Sequence, residues 1–386
     1  IQKFPSALAL DAPDGKLSFA QLDAWPDQIT LRLGSEATSQ TVCVLFPPGQ
    51  LYFVALIACM KVGAIAQVLD PATPITESQI EPRAQICLTH SDLCEQAQSL
   101  AEQVICCDEI ETSSPMDKVD FYTELKATKI LHRLMTSGSS GSPTTVSIGR
   151  DALVFNAREM SAFYAYRRAV RVANLMRHVT SGCLHAFWRV ILSGACYQFF
   201  DLHLESFDAI YTRLEQSSAA FVHSGPTILD ALASACRDKR RLTAIEHVLI
   251  GGGATTHKIL QNITNLLPMD CAYTCSYSST ETSQIAAFHS TLAKTLERDR
   301  IPCGLPLPSR RVEIQGPDQK PVPRGEIGEI VVTGAFMALE IAGAGTASRL
   351  SVHPENPELK IYRTRDLGRW NEEGLLEHCG GLVESA

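Results

Sequence analysis

Helical and strand periods alternate through the first three hundred residues of this chain. That alternation is the pattern of α/β layers and excludes a helical bundle or an all-β sandwich. Thr41 to Phe46 (TVCVLF) is a short β-branched run closed by Pro47-Pro48-Gly49, a strand ending in a turn. Leu51 to Met60 carries apolar residues on every side, as a helix buried between layers would, and Ala64 to Leu69 returns to an extended run before Asp70-Pro71. A strand, helix, strand crossover follows. Further strands are expected at Ile130–Met135, Ala219–His223 and His247–Ile250, each followed by a polar or glycine-containing turn. Their carboxyl ends should line up along one edge, where open parallel sheets collect ligands. From about Ile301 the texture changes. Pro302, Pro306, Pro308, Pro317, Pro321 and Pro323 punctuate short alternating strands such as Arg311–Gln315 and Glu329–Thr333, the mark of a small β-rich subdomain. Gly343–Ser348 (GAGTAS) is expected to be a mobile loop.

At 386 residues and 45% hydrophobic, the chain can bury a large core and divide into two or more compact units. Its 34 basic and 42 acidic side chains leave a net charge of −8, which argues against a grip on a phosphate backbone, so no nucleic-acid partner is expected. Thirteen cysteines at irregular spacing suit buried small hydrophobes and free thiols in a reducing cytoplasm, not a disulfide framework. The most apolar stretch, Leu51 to Leu69, is interrupted by Lys61 and contains Gly63; with no basic-then-apolar leader before it, neither export nor a membrane span is expected. Cys271-x-x-x-Cys275 lacks a matching ligand pair, Cys106-Cys107 is too close for a usual metal pair, and Asn262-Ile263-Thr264 is a sequon without secretory context, so all three are expected to be structural. No Gly-x-Ser-x-Gly elbow of a serine hydrolase occurs.

The strongest local signal is Leu134 to Arg150 (LMTSGSSGSPTTVSIGR), an apolar strand emptying into a loop of glycine and hydroxyl residues. Such a loop can aim backbone N–H groups and hydroxyls at phosphate oxygens, or serve as a plain Ser/Gly connector. It is not the P-loop of nucleotide hydrolases, because Gly141-Ser142-Pro143-Thr144 supplies no lysine.

This stretch resembles the phosphate loop of the adenylate-forming enzymes: acyl-CoA synthetases, luciferases and the adenylation domains of nonribosomal peptide synthetases. The resemblance runs in order along nearly the whole chain. Met60 to Pro71 (MKVGAIAQVLDP) is similar to the family's early helix–strand motif, Ile250 to Ala254 (IGGGA) to its adenine turn, and Tyr277 to Glu281 (YSSTE) to its Tyr-Gly-x-Thr-Glu motif. Gly325 to Gly334 and Ile361 to Gly381 are similar to its late motifs. The resemblance implies an α/β fold of two layered α/β subdomains over 1–300, with the phosphate loop and acid pocket, and a small distorted β-barrel subdomain over 301–386 ending at a hinge. The family's small carboxyl-terminal domain, with its assisting lysine, would lie beyond the hinge and is expected to be absent, leaving a fragment that turns over poorly.

The implied reaction couples a small carboxylic acid to ATP, giving an acyl-adenylate and pyrophosphate before transfer to coenzyme A or to the phosphopantetheine of a carrier-protein domain. Thr136, Ser137, Gly138, Ser139, Ser140 and Gly141 would hold the β- and γ-phosphates. Glu281 would help hold Mg²⁺, and Thr280 would contact the α-phosphate side. Gly251, Gly252, Gly253 and Ala254 would lie beneath the adenine with Tyr277 on its face; a plain turn and a core tyrosine is the alternative. Asp366 would accept hydrogen bonds from both ribose hydroxyls, unless it is a simple turn former.

Aligning Ser193-Gly194-Ala195 with the family's Ser-Gly-Ala puts Ser181 where amino-acid-activating members carry an aspartate for the substrate ammonium. The same ungapped alignment places Gly182, His185, His223, Ile250, Gly252, Ser276, Gln284 and Ile285 around the side-chain pocket. An acid without a free α-amino group is therefore expected: hydroxy, keto, aryl or short polar. A one-residue slip of the alignment, or histidines that merely satisfy core hydrogen bonds, would remove that inference. Thr144 stands where the family has lysine, Arg365 where it has glycine, Gly381 where a hinge-side arginine is usual, and Val383 near the expected hinge acid. These departures leave open a second possibility, a degenerate adenylation-like domain kept for binding or architecture.

Overall fold

The computed structural model describes residues 4–73, 84–110, 129–137, 143–295, 301–343 and 349–382. Its contacts divide the chain into two compact units: one of Ile1–Ala169, Arg177–Asp201 and Ala338–Ala344, the other of Val170–Met176, Leu202–Met337 and Gly345–Ala386.

In the first unit a parallel ladder runs through Ile130–Ser137, Ile65–Leu69, Thr41–Leu45, Ile86–Thr89 and Gln103–Cys106. Thr41–Leu45 and Ile65–Leu69 pair residue for residue, joined by the helix Gln50–Val62 as expected. That helix is apolar all round because nearly all of it is buried. It ends at Gly63, whose φ of 74° is the left-handed cap that frees its N–H for the Cys59 and Met60 carbonyls. On its inner side Phe53 packs 4.6 Å from Phe187 and 5.4 Å from both Tyr197 and Phe199, ring centre to ring centre.

The segment expected to be strand and then loop is a hairpin: Ile130–Ser137 returns as Pro143–Gly149, paired from Ser137 opposite Pro143 down to Ile130 opposite Gly149. The β-branched Thr144, Thr145, Val146 and Ile148 explain the return strand. Glu340–Ala342 adds an outer strand to Pro143–Gly149. A separate ladder places Leu8–Ala12 between Cys196–Phe199 and Gly15–Ser18. The helix Phe19–Leu33 follows, closed by the Ser18/Gln21 capping box.

The second unit carries parallel strands Arg171–Leu175, Phe221–Ser224, His247–Gly251 and Ala272–Ser279, followed by antiparallel Ser283–Thr291 and Leu305–Pro306. The strand expected at Ala219–His223 begins two residues later. Ala220 instead bonds outside the ladder, its N–H to Arg171 and its carbonyl to the Glu246 and His247 amides. A five-stranded antiparallel sheet of Arg310–Gln315, Gly328–Gly334, Asn356–Trp370, Leu350–His353 and Leu376–Gly381 completes the unit. Leu305–Pro306 pairs with Ser283–Thr291, and Arg310 donates to the Thr282 carbonyl at 2.8 Å, so the β-rich segment is stitched to the strands before it. Residues 344–348 of the expected loop lie outside the described residues.

Candidate functional site

In the second unit, three neighbouring parallel strands end at Ser224, Gly251 and Ser279, on the edge where chemistry was expected. Beyond the middle strand the chain turns through Gly251-Gly252-Gly253-Ala254, with Gly252 to Ala254 exposed. Gly252 adopts φ 77°, a conformation that a side chain would strain, and its backbone is left open to a flat ligand.

Ala272–Ser279 and Ser283–Thr291 form a hairpin whose tip carries Thr280, Glu281 and Thr282. The tip is pinned from within: Ser279 Oγ accepts from the Thr282 amide at 3.2 Å and lies 2.9 Å from its hydroxyl. Glu281 is almost fully buried, with Arg349 Nη2 at 3.8 Å from its carboxylate. Arg349 also donates to the Tyr362 hydroxyl and, at 3.3 Å, to the Thr364 carbonyl. Burial and the Glu281 charge both hold the Tyr362 phenol above its ordinary range.

A bulge between Tyr277 and Ser278 turns Tyr277 so that its hydroxyl donates to Asp366 Oδ2 at 2.7 Å. Asp366 is not a turn former but lies inside the long strand Asn356–Trp370. The preceding Arg365 stands in the left-handed region at φ 64°, and the Asp366 amide bonds Thr364 Oγ1 at 3.0 Å. His378 Nε2, from the neighbouring strand Leu376–Gly381, sits 3.6 Å from Asp366 Oδ1, a charge contact too long for a hydrogen bond. Burial pushes the Asp366 carboxyl up, but the nearby His378 imidazole and the Tyr277 hydroxyl outweigh it and hold it below the usual carboxylate range. Reciprocally, the carboxylate holds His378 above its ordinary value. The result is an oriented carboxylate that stays ionised with lone pairs to spare, the equipment needed to bind a diol.

The pocket residues of this unit do not share one face. Strand register aligns His223 with Leu249 and Thr274, and Gly251 with Ser276, whereas Ile250 aligns with Ser224 and Cys275. Since alternate residues face opposite sides, Ile250 points away from His223 and Ser276. Gln284 and Ile285 are buried early in the hairpin's second strand.

In the first unit, Thr136 and Ser137 end the strand that leads into the phosphate loop; Gly138, Ser139, Ser140 and Gly141 lie outside the described residues. Thr144 pairs with Thr136 across the hairpin and is buried, so no charge stands at that position. Ser181 and Gly182 open the helix Ser181–Ser193, whose N-cap Thr180 accepts from the Cys183 amide. His185 follows one turn on. By surface area the residue is half-buried, but dense packing desolvates its ring and, with the Arg189 charge, holds its pKa down at about 4.

A family model for AMP-binding enzymes matches residues 1–341 of the chain. The chain belongs to the AMP-binding enzyme family. Among relatives of this AMP-binding chain, a plipastatin synthase subunit of Bacillus subtilis (strain 168) is 24% identical over 97% of the chain, and tyrocidine synthase 1 of Brevibacillus parabrevis is 21% identical over 99%. The chain spans only 15% and 35% of those two proteins. Its fold matches the N-terminal subdomain of Klebsiella oxytoca NpsA in complex with 3-hydroxybenzoyl-AMSN at a TM-score of 0.83, with 18% identity and 98% and 97% of the two chains covered. O-succinylbenzoate coenzyme A synthetase (MenE) of Bacillus subtilis, in complex with AMP, matches at 0.84, with 20% identity and 99% and 97% covered. The fold is thus the N-terminal domain of the adenylate-forming superfamily.

Three residues of this AMP-binding chain that neighbour the expected site residues of its two units were not singled out in its sequence: His378 beside Asp366 and Arg349 beside Glu281 in the second, and Arg189 beside His185 in the first. His378 was within reach. If Asn371–Leu375 is read as a hairpin turn, pairing outward sets Trp370 against Leu376 and Gly368 against His378, within two residues of Asp366. Arg349 follows a stretch without periodicity and gives no such signal. All thirteen cysteines are free thiols and nine are buried, as expected. No helix among the described residues is long and apolar enough to cross a membrane.

Proposed function

We propose that this chain is an adenylation domain that activates a carboxylic acid lacking a free α-amino group, using ATP to form an acyl-adenylate and pyrophosphate. The observation that carries the proposal is the Tyr277–Asp366–His378 constellation at the motif positions of a family member. Asp366 accepts from the ribose hydroxyls while Tyr277 and His378 keep it ionised and oriented. The glycine turn lets the backbone approach the adenine, and Thr136 with the loop after it donates to the phosphates. An oxygen of the bound carboxylate attacks the α-phosphorus, the bond to pyrophosphate breaks, and no protein bond changes; the chain supplies position and charge.

Mg²⁺ suits one carboxylate plus phosphate oxygens and waters, so Glu281 alone fits as its protein ligand, and the ion would neutralise phosphate charge when bound. Among the described residues no group of three or more His, Cys, Asp or Glu could form a metal cage of its own.

Two features favour an acid over an amino acid. Ser181 replaces the ammonium-binding aspartate, and the first turn of its 13-residue helix carries no acidic residue. The positive end of a helix dipole repels an ammonium and suits a neutral or anionic group. NpsA's complex with 3-hydroxybenzoyl-AMSN shows a similar fold holding an aryl acid derivative. The acyl acceptor is the thiol of coenzyme A or of a carrier-protein phosphopantetheine; an artificially fused adenylation–PCP di-domain is among the matching structures. The free, mostly buried cysteines suit action in a reducing cytoplasm.

Pyrophosphate exchange by the full-length protein across amino, keto, hydroxy and aryl acids tests the proposal. Desamino acids should dominate, and α-amino acids outperforming them would refute the acid assignment. Asp366→Asn should weaken ATP binding by roughly tenfold or more, the worth of a charge-assisted hydrogen bond. Calorimetry showing no ATP affinity in the unsubstituted protein would favour the degenerate alternative, for which Thr144 and Arg365 are the motivation.

A further inference from the structure

The helix Ser181–Ser193 carries a polar stripe on an otherwise apolar body: Ser181, His185 and Arg189 follow at intervals of four, on one face. Arg189 is 6% exposed. A guanidinium remains charged at any physiological pH and, buried, requires an opposite charge or a full set of acceptors. Arg189 has neither among the described residues. Its side chain bonds Tyr166 and lies 5.5 Å from the centre of the Tyr164 ring, while Nε and Nη1 are buried without a hydrogen-bond partner among the described residues.

A second deficit lies close by. His132, on the strand Ile130–Ser137, accepts at Nε2 from the Trp188 indole at 2.9 Å, which leaves the proton on Nδ1. That Nδ1 is also buried without a partner among the described residues. Burial and the neighbouring His185 hold His132 neutral, at a pKa of about 3. Every unmet atom of this cluster is therefore a donor, and the missing group is an acceptor that carries negative charge.

We propose that Arg189, with His132 Nδ1–H, binds a second anionic group on the acid being activated, so that the substrate is a dicarboxylic acid or an acid with an equivalent anionic tail. The inference rests on the adenylation reading, in which Ser181 and His185 line the acid's path. Arg189 lies one turn beyond His185 and about 12 Å of helix axis beyond Ser181, so the reacting carboxylate and the anionic tail are held apart. A buried cation at that depth also disfavours a substrate ammonium, in keeping with Ser181.

The test is calorimetric binding of glutarate and adipate against pentanoate and hexanoate, on this chain without nucleotide, with ATP binding measured separately. The diacids should bind at least about tenfold tighter, the worth of one good charged contact. Arg189→Met should abolish that preference and Arg189→Lys should retain part of it. Equal binding of diacids and monoacids by the unsubstituted protein overturns the proposal, and needs no variant to fold. So does a preference that survives Arg189→Met. ATP binding without a diacid preference removes the tail site and leaves the adenylation reading standing. A diacid preference without ATP binding does the reverse.

Discussion

Arg365 occupies backbone space that suits glycine. Its φ of 64° lies in the left-handed region, where a Cβ crowds the following carbonyl at a cost of about 1 kcal/mol. The conformation is held from both sides. The Arg365 amide donates to Glu329 Oε1 at 3.2 Å, its carbonyl accepts from the Leu382 amide at 2.7 Å, and Glu329 is itself gripped by Arg363. The kink sets the direction in which the next residue, Asp366, leaves the strand. Arg365→Gly should therefore raise stability by about 0.5–1 kcal/mol in urea unfolding, while Arg365→Ala, which keeps the Cβ, should gain nothing. ATP affinity separates a second role. If the guanidinium replaces the charge absent at Thr144, both variants will bind ATP more weakly, whereas a purely conformational role predicts unchanged affinity. Loss of stability in Arg365→Gly would mean that the side chain's own contacts outweigh the strain.

Elements bring the carboxylate and its two partners together. Tyr277 belongs to the Ala272–Ser279 hairpin, and Asp366 and His378 to two strands of the antiparallel sheet. Gly304 links these elements, exchanging backbone hydrogen bonds with Leu376 while lying against the hairpin. At φ 93°, a Cβ added there would sit 2.0 Å from the Ala287 carbonyl oxygen, a backbone atom that cannot swing aside. Gly304→Ala should cost about 3 kcal/mol or more through combined overpacking and strain. Because the strand carrying His378 must shift, the same substitution should return the His378 pKa toward its ordinary value, readable by NMR titration. An unshifted His378 would show that the approach of these elements does not position the pair. Local elements were legible in the sequence where the hydrophobic period was clean: Thr41–Leu45, Gln50–Val62 and Ile65–Leu69 follow from their residues alone. The return strand Pro143–Gly149 was hidden because its threonines and serines read equally as loop, and only pairing with Ile130–Ser137 decides between them.

Across the whole molecule, the motifs singled out Asp366, Tyr277 and Glu281 because their order along the chain is itself information. The partners of Asp366 and Glu281 were not singled out, because His378 and Arg349 meet them through the pairing of strands, which sequence spacing encodes only once the elements are paired. The same long-range packing controls how the protein responds to acid. Burial holds His132 at about 3 and His178, His185 and His247 at about 4, although each would titrate near 6.5 in the unfolded chain. Between those limits the unfolded chain binds protons that the folded one refuses, so stability falls as pH falls, by up to about 1.4 kcal/mol per pH unit for each histidine. His378 acts oppositely. Its pKa is raised, so its contribution is complete below 6.5 and is lost as pH climbs through the raised value. Asp366, depressed, contributes fully above 3.8 and loses its share only as pH falls through its lower value. Four histidines against one predict a lower urea midpoint at pH 5 than at pH 7. Their distribution predicts more: His132, His178 and His185 belong to the first unit, whereas His247 shares the second with the compensating His378. Limited proteolysis at pH 5, read by mass spectrometry, should therefore open the first unit before the second. Cleavage beginning in the second unit would mean that these buried imidazoles do not set the molecule's acid stability.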